Sequence, residues 1–203
     1  MRTYILLSIL LSSSIAFSQN NPSGNVSIGM RSTYSFFDHD GGGIGTGGQF
    51  RIRLSKYVNT DWYADYINII ADNNIRSEYF HIGWSVLYYP IPYEKTASKI
   101  QPYVLAGHCF DYNRKSLISD PNNTLDRWGS AVQAGIGAHY HLSPRFDVSL
   151  TCQYMWHLTH ELEANFEHTE VHIEETEHHS LEGHMLATLS INYQLFRLWT
   201  PRK

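Results

Sequence analysis

Apolar and polar residues alternate with a period of two along most of this chain, the signature of strands with one buried face. Over Asn25 to Phe37, Val26, Ile28, Met30, Tyr34 and Phe36 share one face, and Ser27, Gly29, Arg31, Thr33 and Ser35 share the other. Gln49 to Ser55 sets Phe50, Ile52 and Leu54 against Arg51 and Arg53. Ser77 to Tyr89 sets Phe80, Ile82, Trp84, Val86 and Tyr88 against His81, Gly83 and Ser85. Ile100 to Asn113 sets Val104, Ala106, Phe110 and Tyr112 against Leu105, Gly107, Cys109 and Asp111, with His108 on the apolar side. Three more segments follow the rule: Arg127 to His139, Phe146 to Trp156 and Met185 to Phe196. Asp61 to Ala71 reads as a strand by composition, but its parity is ambiguous and its faces stay unassigned. That makes eight strands, and none of them approaches the ~20 continuous apolar residues of a spanning helix.

The connections are predicted to differ in length. Asp38 to Gly48 is Gly-rich and reads as a flexible hairpin loop; no Lys-Ser/Thr pair or helix follows it to make a phosphate cradle. The prolines of Pro90-Ile91-Pro92 end the fourth strand, because proline cannot donate to a strand ladder. Long connections are expected after strands one, five and seven, and shorter ones after two, four and six. Such a pattern puts both termini on the inner side of a membrane and the long loops outside.

Residues 1–18 read as a secretory signal: Arg2, then the apolar run Tyr4 to Leu11, then small residues with Ala16 and Ser18 before Gln19. The chain carries 15 Lys+Arg against 19 Asp+Glu, and losing Arg2 with the signal would leave 14 against 19, a formal charge of −5. This acidity argues against nucleic acid as a partner. Cys109 and Cys152 match no metal or redox spacing. By strand parity they point to opposite faces, so free thiols are expected.

These features predict an all-β fold, an eight-stranded antiparallel up-and-down transmembrane β-barrel over residues 19–203. The chain resembles the small outer-membrane β-barrel family, of the outer-membrane protein A transmembrane-domain type, over about Asn25 to Phe196. The closing segment Ile191-Asn192-Tyr193-Gln194-Leu195-Phe196 is similar to the aromatic-ended last strand that the outer-membrane assembly machinery recognises, although Phe196 is followed by further residues. The resemblance implies residence in the outer membrane, contact with its lipid and insertion by that machinery. A monomer is expected. The main alternative fold, a soluble lipocalin-type barrel, would turn its apolar residues inward.

Candidate chemistry sits in two places. The inner face would carry Arg31, Arg51, Arg53, Asp111 and Asp147, with Gln133, His139 and Gln153. An eight-stranded barrel is about filled by its side chains, so these are expected to form an ion-pair network across the lumen and not a pore. The second place is the long connection His157 to His184, which holds seven of the twelve histidines, eight glutamates and no Lys or Arg. It reads as an extracellular hairpin turning near Glu167 to Glu170. His168, His172, Glu174, His178 and His179 are its candidate ligands for a divalent transition metal. A solvated acidic loop and a pH-responsive segment, gaining charge as pH falls through about 6.5, are the competing readings. His179-Ser180 with Glu182 supplies hydrolase residue types, but neighbours on a strand point to opposite faces, so no enzyme is expected. The predicted role is structural or surface interaction with an extracellular ligand through the outer loops; a metal or small-ligand binding barrel is the alternative.

Overall fold

The computed structural model describes residues 23–37, 41–71, 75–92, 99–120, 123–158, 162–167, 170–175 and 183–199. They form ten strands: β1 (Asn25–Phe37), β2 (Gly41–Arg53), β3 (Val58–Ala71), β4 (Ile75–Tyr88), β5 (Ile100–Leu117), β6 (Thr124–His141), β7 (Phe146–His157), β8 (Leu162–Glu167), β9 (Glu170–Glu175) and β10 (Gly183–Arg197). Eight of them close into a barrel in the order β1-β10-β7-β6-β5-β4-β3-β2, and β8 pairs only with β9. Every neighbouring pair is antiparallel. The first and last barrel strands meet in long register, from Asn25 opposite Arg197 to Phe36 opposite Met185, so the barrel presents no unpaired edge.

The two faces separate as the alternation demands. Arg31, Thr33 and Ser35 are buried in the lumen, while Met30 is 79% exposed on the outside. Ile44, Trp128, Ile136 and Leu150 are also more than half exposed. A water-soluble protein rarely shows apolar patches above a few hundred Å², and here an apolar face encircles the molecule. Strands of 12 to 18 residues exceed the ~9–11 needed to cross a bilayer at a tilt. The polar interior excludes the lipocalin-type alternative.

Two expectations are corrected, and a third point left open is settled. The Gly-rich stretch is a strand and not a loop: β2 starts at Gly41, pairs with β1 to Phe37 and with β3 from Ile44 onward. Glycine weakens a strand, but it also lets another chain segment come close. A Cβ on Gly43 or Gly45 would strike the side chains of Ile67 and Ile69, and one on Gly47 would strike Asp65 and the Ala64 carbonyl. The missing side chains of β2 thus make room for the large inward residues of β3. Second, the parity of β3 is settled: Tyr63, Asp65, Ile67 and Ile69 point inward and Trp62 and Tyr66 outward. Third, loop lengths do not alternate as expected. Residues 38–40 suffice between β1 and β2, whereas residues 89–99 join β4 to β5 at the end carrying the termini. At the start of that longer turn Tyr89 still bonds through its N–H to the Tyr57 carbonyl, is wholly buried, and its hydroxyl bonds Asn59 and His139.

Gly47→Leu should lower the stability of the detergent-folded barrel by about 1–3 kcal/mol, the usual cost of overpacking. Gly48→Ala, whose Cβ would meet only the Gly29 carbonyl oxygen at an ordinary 3.8 Å, should leave it within about 0.5 kcal/mol. Urea unfolding followed by the mobility difference between unheated and boiled samples measures both.

Candidate functional site

The lumen is built in levels from the end carrying the termini. At that end the Arg53 guanidinium lies over the Tyr89 ring, 4.4 Å from its centre, and donates to Gln101 Oε1 at 3.3 Å. It also reaches the Ser55 and Lys56 carbonyls of the β2–β3 turn. One level further in, Arg51 Nη1 meets Asp147 Oδ1 at 3.2 Å, and Arg51 Nε lies 3.9 Å from Asp61 Oδ1. Asn192 donates to the same Asp147 oxygen at 2.9 Å, and Ser149 at 3.1 Å. His139 bridges Tyr89 and Ser149 through its two ring nitrogens.

The middle level centres on Arg31. Its Nε is 3.0 Å from Asp65 Oδ1, both side chains being almost wholly buried. The guanidinium rests on the Tyr63 ring at 4.1 Å and donates weakly to Gln49 and Thr188. Thr33 donates to Asp65 Oδ2 at 3.2 Å. Tyr63 donates to Gln133 Oε1 at 2.6 Å, which also accepts from Gln153, while Gln133 donates to Ser85. Arg31 is paired with Asp65, and each takes further hydrogen bonds through its other polar atoms, the setting in which buried charge is tolerated.

Above this lies an apolar layer with Ile67, Tyr79, Cys109, Ala131, Met155 and Leu186. Imidazoles cluster at the same depth. His157 Nδ1 is 3.1 Å from Asp111 Oδ2, and His157 Nε2 faces His184 Nδ1 at 2.9 Å. The His157 and His184 ring centres are 4.9 Å apart, and His81 lies near-parallel to His184 with centres 5.7 Å apart. His81 sits directly across the ladder from Asp111, is wholly buried, and has no hydrogen-bond partner at either ring nitrogen.

The sequence's inner set therefore does not act as one network. Arg51 joins Asp147; Arg53 bonds a glutamine and carbonyls; Asp111 takes histidine in place of arginine. The Asp65 partner of Arg31 and the Asp61 neighbour of Arg51 went unread because both lie on the strand whose parity was ambiguous. The outward run of Trp62, Ala64 and Tyr66 was the signal that places them inward. His157 and His184, counted with the outer hairpin by their place in the sequence, are lumen residues instead.

Of the candidate metal ligands, His172 and Glu174 are on β9, paired with Asn165 and Glu163 of β8. His168, His178 and His179 lie outside the described residues. The β8–β9 ladder runs from Leu162 opposite Glu175 to Glu167 opposite Glu170. Among the described residues no three His, Cys, Asp or Glu side chains form a ready metal-holding group. Both cysteines are free, Cys109 buried and Cys152 exposed.

No family model and no curated protein matches the chain. Solved structures do. A major outer membrane protein from Thermus thermophilus aligns with a TM-score of 0.59 at 8% identity, over 87% of this chain and 100% of that one. Neisserial surface protein A aligns with 0.55 at 13%, over 87% and 100%. The N-terminal β-barrel domain of Pseudomonas aeruginosa OprF aligns with 0.52 at 13%, over 85% and 98%. At these identities the likeness is one of fold: the small outer-membrane barrel. With the apolar belt, it places the chain in an outer membrane.

Removing one member of the central ion pair should cost more than removing both. Asp65→Asn leaves Arg31 buried beside a neutral partner and should destabilise by about 3–5 kcal/mol. Arg31→Met combined with Asp65→Leu should lose much less. Urea midpoints of the three vesicle-inserted proteins decide, and equal losses for the single and double variants would refute the pairing.

Proposed function

We propose that this chain is a sealed outer-membrane barrel acting as a surface-interaction protein, its outer connections offering contacts to an extracellular ligand. The interior is the observation that supports this reading. Buried side chains fill it from Arg53 through Arg31 to His81, and most of its polar groups are bonded to one another. A small eight-stranded barrel has just enough room for such a filling. The work of the molecule then falls to the parts outside the wall.

The β8–β9 hairpin is the most prominent of these. In the chain it lies between β7 and β10, whose adjoining ends are opposite the end with Asn25 and Arg197, and among the described residues it pairs with no barrel strand. Long connections at that end are the extracellular ones in barrels of this kind. The segment bears the acidic, histidine-rich stretch, and loops held by a rigid scaffold commonly carry binding residues. A lone barrel suffices for this role, with lipid around the apolar face and insertion by the outer-membrane assembly machinery.

Two outcomes are expected. In planar bilayers the folded chain should give no stable single-channel conductance, and protease added to intact cells should cut within residues 159–182 while sparing the barrel. Steady conductance, or a hairpin protected in intact cells, would overturn the reading. Replacing residues 159–182 by a short turn should leave the barrel heat-modifiable with stability within about 0.5 kcal/mol, because that hairpin shares no ladder with the barrel.

A further inference from the structure

We propose that the outer end of the lumen is a binding site for a divalent transition metal such as zinc, nickel or copper. Its ligands are His157 Nε2, His184 Nδ1 and His81, and Asp111 stands behind His157. This site is separate from the hairpin residues His168, His172, Glu174, His178 and His179, and it does not depend on the surface-interaction reading.

Four observations converge. First, His81 is wholly buried with both ring nitrogens lacking a hydrogen-bond partner. An orphaned buried polar group costs about 1–3 kcal/mol, and a group of this kind calls for a water or an ion. Second, His157 and His184 point nitrogen at nitrogen, 2.9 Å apart. Two imidazole nitrogens on one tetrahedral zinc, each ~2.0–2.1 Å from it, lie about 3.3 Å apart. Seating a metal between them therefore widens the N···N separation by only a few tenths of an ångström and turns the two rings toward a common point. The His184 proton moves to Nε2, and both rings remain neutral ligands.

Third, two of the three ring-centre spacings are near those of a shared metal. The centres are 4.9 Å apart for His157 and His184 and 5.7 Å apart for His184 and His81. Imidazoles sharing a tetrahedral metal have centres about 5 Å apart. Among the described residues no three donors form a ready group; turning the rings about their Cβ–Cγ bonds is what would aim the nitrogens at one point. Fourth, His157 Nδ1 contacts Asp111 Oδ2 at 3.1 Å. A carboxylate on the far nitrogen fixes the tautomer and orientation of a metal-bound histidine. Imidazole donors, with Ala131 directly across the ladder from His157 and Met155 across from His184, suit a borderline metal over calcium or magnesium.

The test uses the full chain folded in detergent, checked by heat-modifiable mobility, stripped with chelator and titrated with Zn²⁺ and with Co²⁺. A variant with His168, His172, His178 and His179→Gln and Glu174→Gln removes the hairpin ligands. It should still bind one equivalent of Zn²⁺ and give the intense visible bands of tetrahedral Co²⁺. In that background His81→Gln should weaken binding at least tenfold, and Asp111→Asn by about 10–100-fold. No uptake by the folded hairpin variant, or a weak octahedral Co²⁺ spectrum, would overturn the site. So would undiminished affinity after His81→Gln. If His81→Gln does not fold, the Co²⁺ spectrum and stoichiometry of the hairpin variant decide alone.

Discussion

A peptide group facing hydrocarbon has no water to bond, so each one must find its partner within the protein. Everything else in this molecule follows from that constraint. With strands as the spanning element, the ladder has to close on itself, and the pairing of β1 with β10 achieves this. Closure with a period of two then assigns every residue to lipid or lumen. A polar lumen of this width leaves no space for bulk water, so its charges must satisfy one another. Arg31 with Asp65 and Arg51 with Asp147 are the result. They are better understood as the condition for burying polar residues than as a surplus of stability, because a buried ion pair often gains little over an apolar substitute.

The same constraint explains what the sequence made legible. In β1, β4 and β5 a large apolar residue falls at nearly every second position, and facing follows at once. Parity alone also separated Cys109 from Cys152, which stand on opposite sides of the wall as free thiols. β3 resisted because Asp61 to Ala71 mixes aromatic and aliphatic residues on both faces. Tyr63, Ile67 and Ile69 point inward, where apolar groups are not expected. Only the neighbours show why: Ile67 and Ile69 fill the space left by the glycines of β2, Tyr63 that left by Gly83 of β4, and all three belong to the apolar layer. The segment least strand-like by propensity and the strand least readable by parity are two halves of one packing arrangement. Neither half carries the information alone.

Partner choice across the lumen was the least legible property. Facing is a local matter of odd and even positions, whereas partnership depends on register, tilt and which strands lie opposite after closure. Arg53 shows the difference. It sits two positions from Arg51 on the same face, yet it finds Tyr89, Gln101 and turn carbonyls that Arg51 does not touch. Asp111 shows it from the other side, meeting His157 from a strand that is far away in sequence and not its ladder neighbour. A sequence can thus announce that charges lie inside before it can say which of them touch.

The histidines sharpen this point. Read along the chain, His157 and His184 belong to one acidic, imidazole-rich connection that runs between the last two barrel strands. In the fold they turn into the lumen at its root, bonded to each other and to Asp111, while the hairpin beyond them pairs only with itself. A single compositional run is therefore divided by the rim of the barrel into two physical environments. Below the rim, imidazoles are desolvated, stacked and held by one carboxylate. Beyond it, the chain has left the ladder that fixes every barrel residue to lipid or lumen, and no such constraint governs its composition. Evolution can vary the outer part without disturbing a ladder, but a change at His157 or His184 alters the packing of the wall itself.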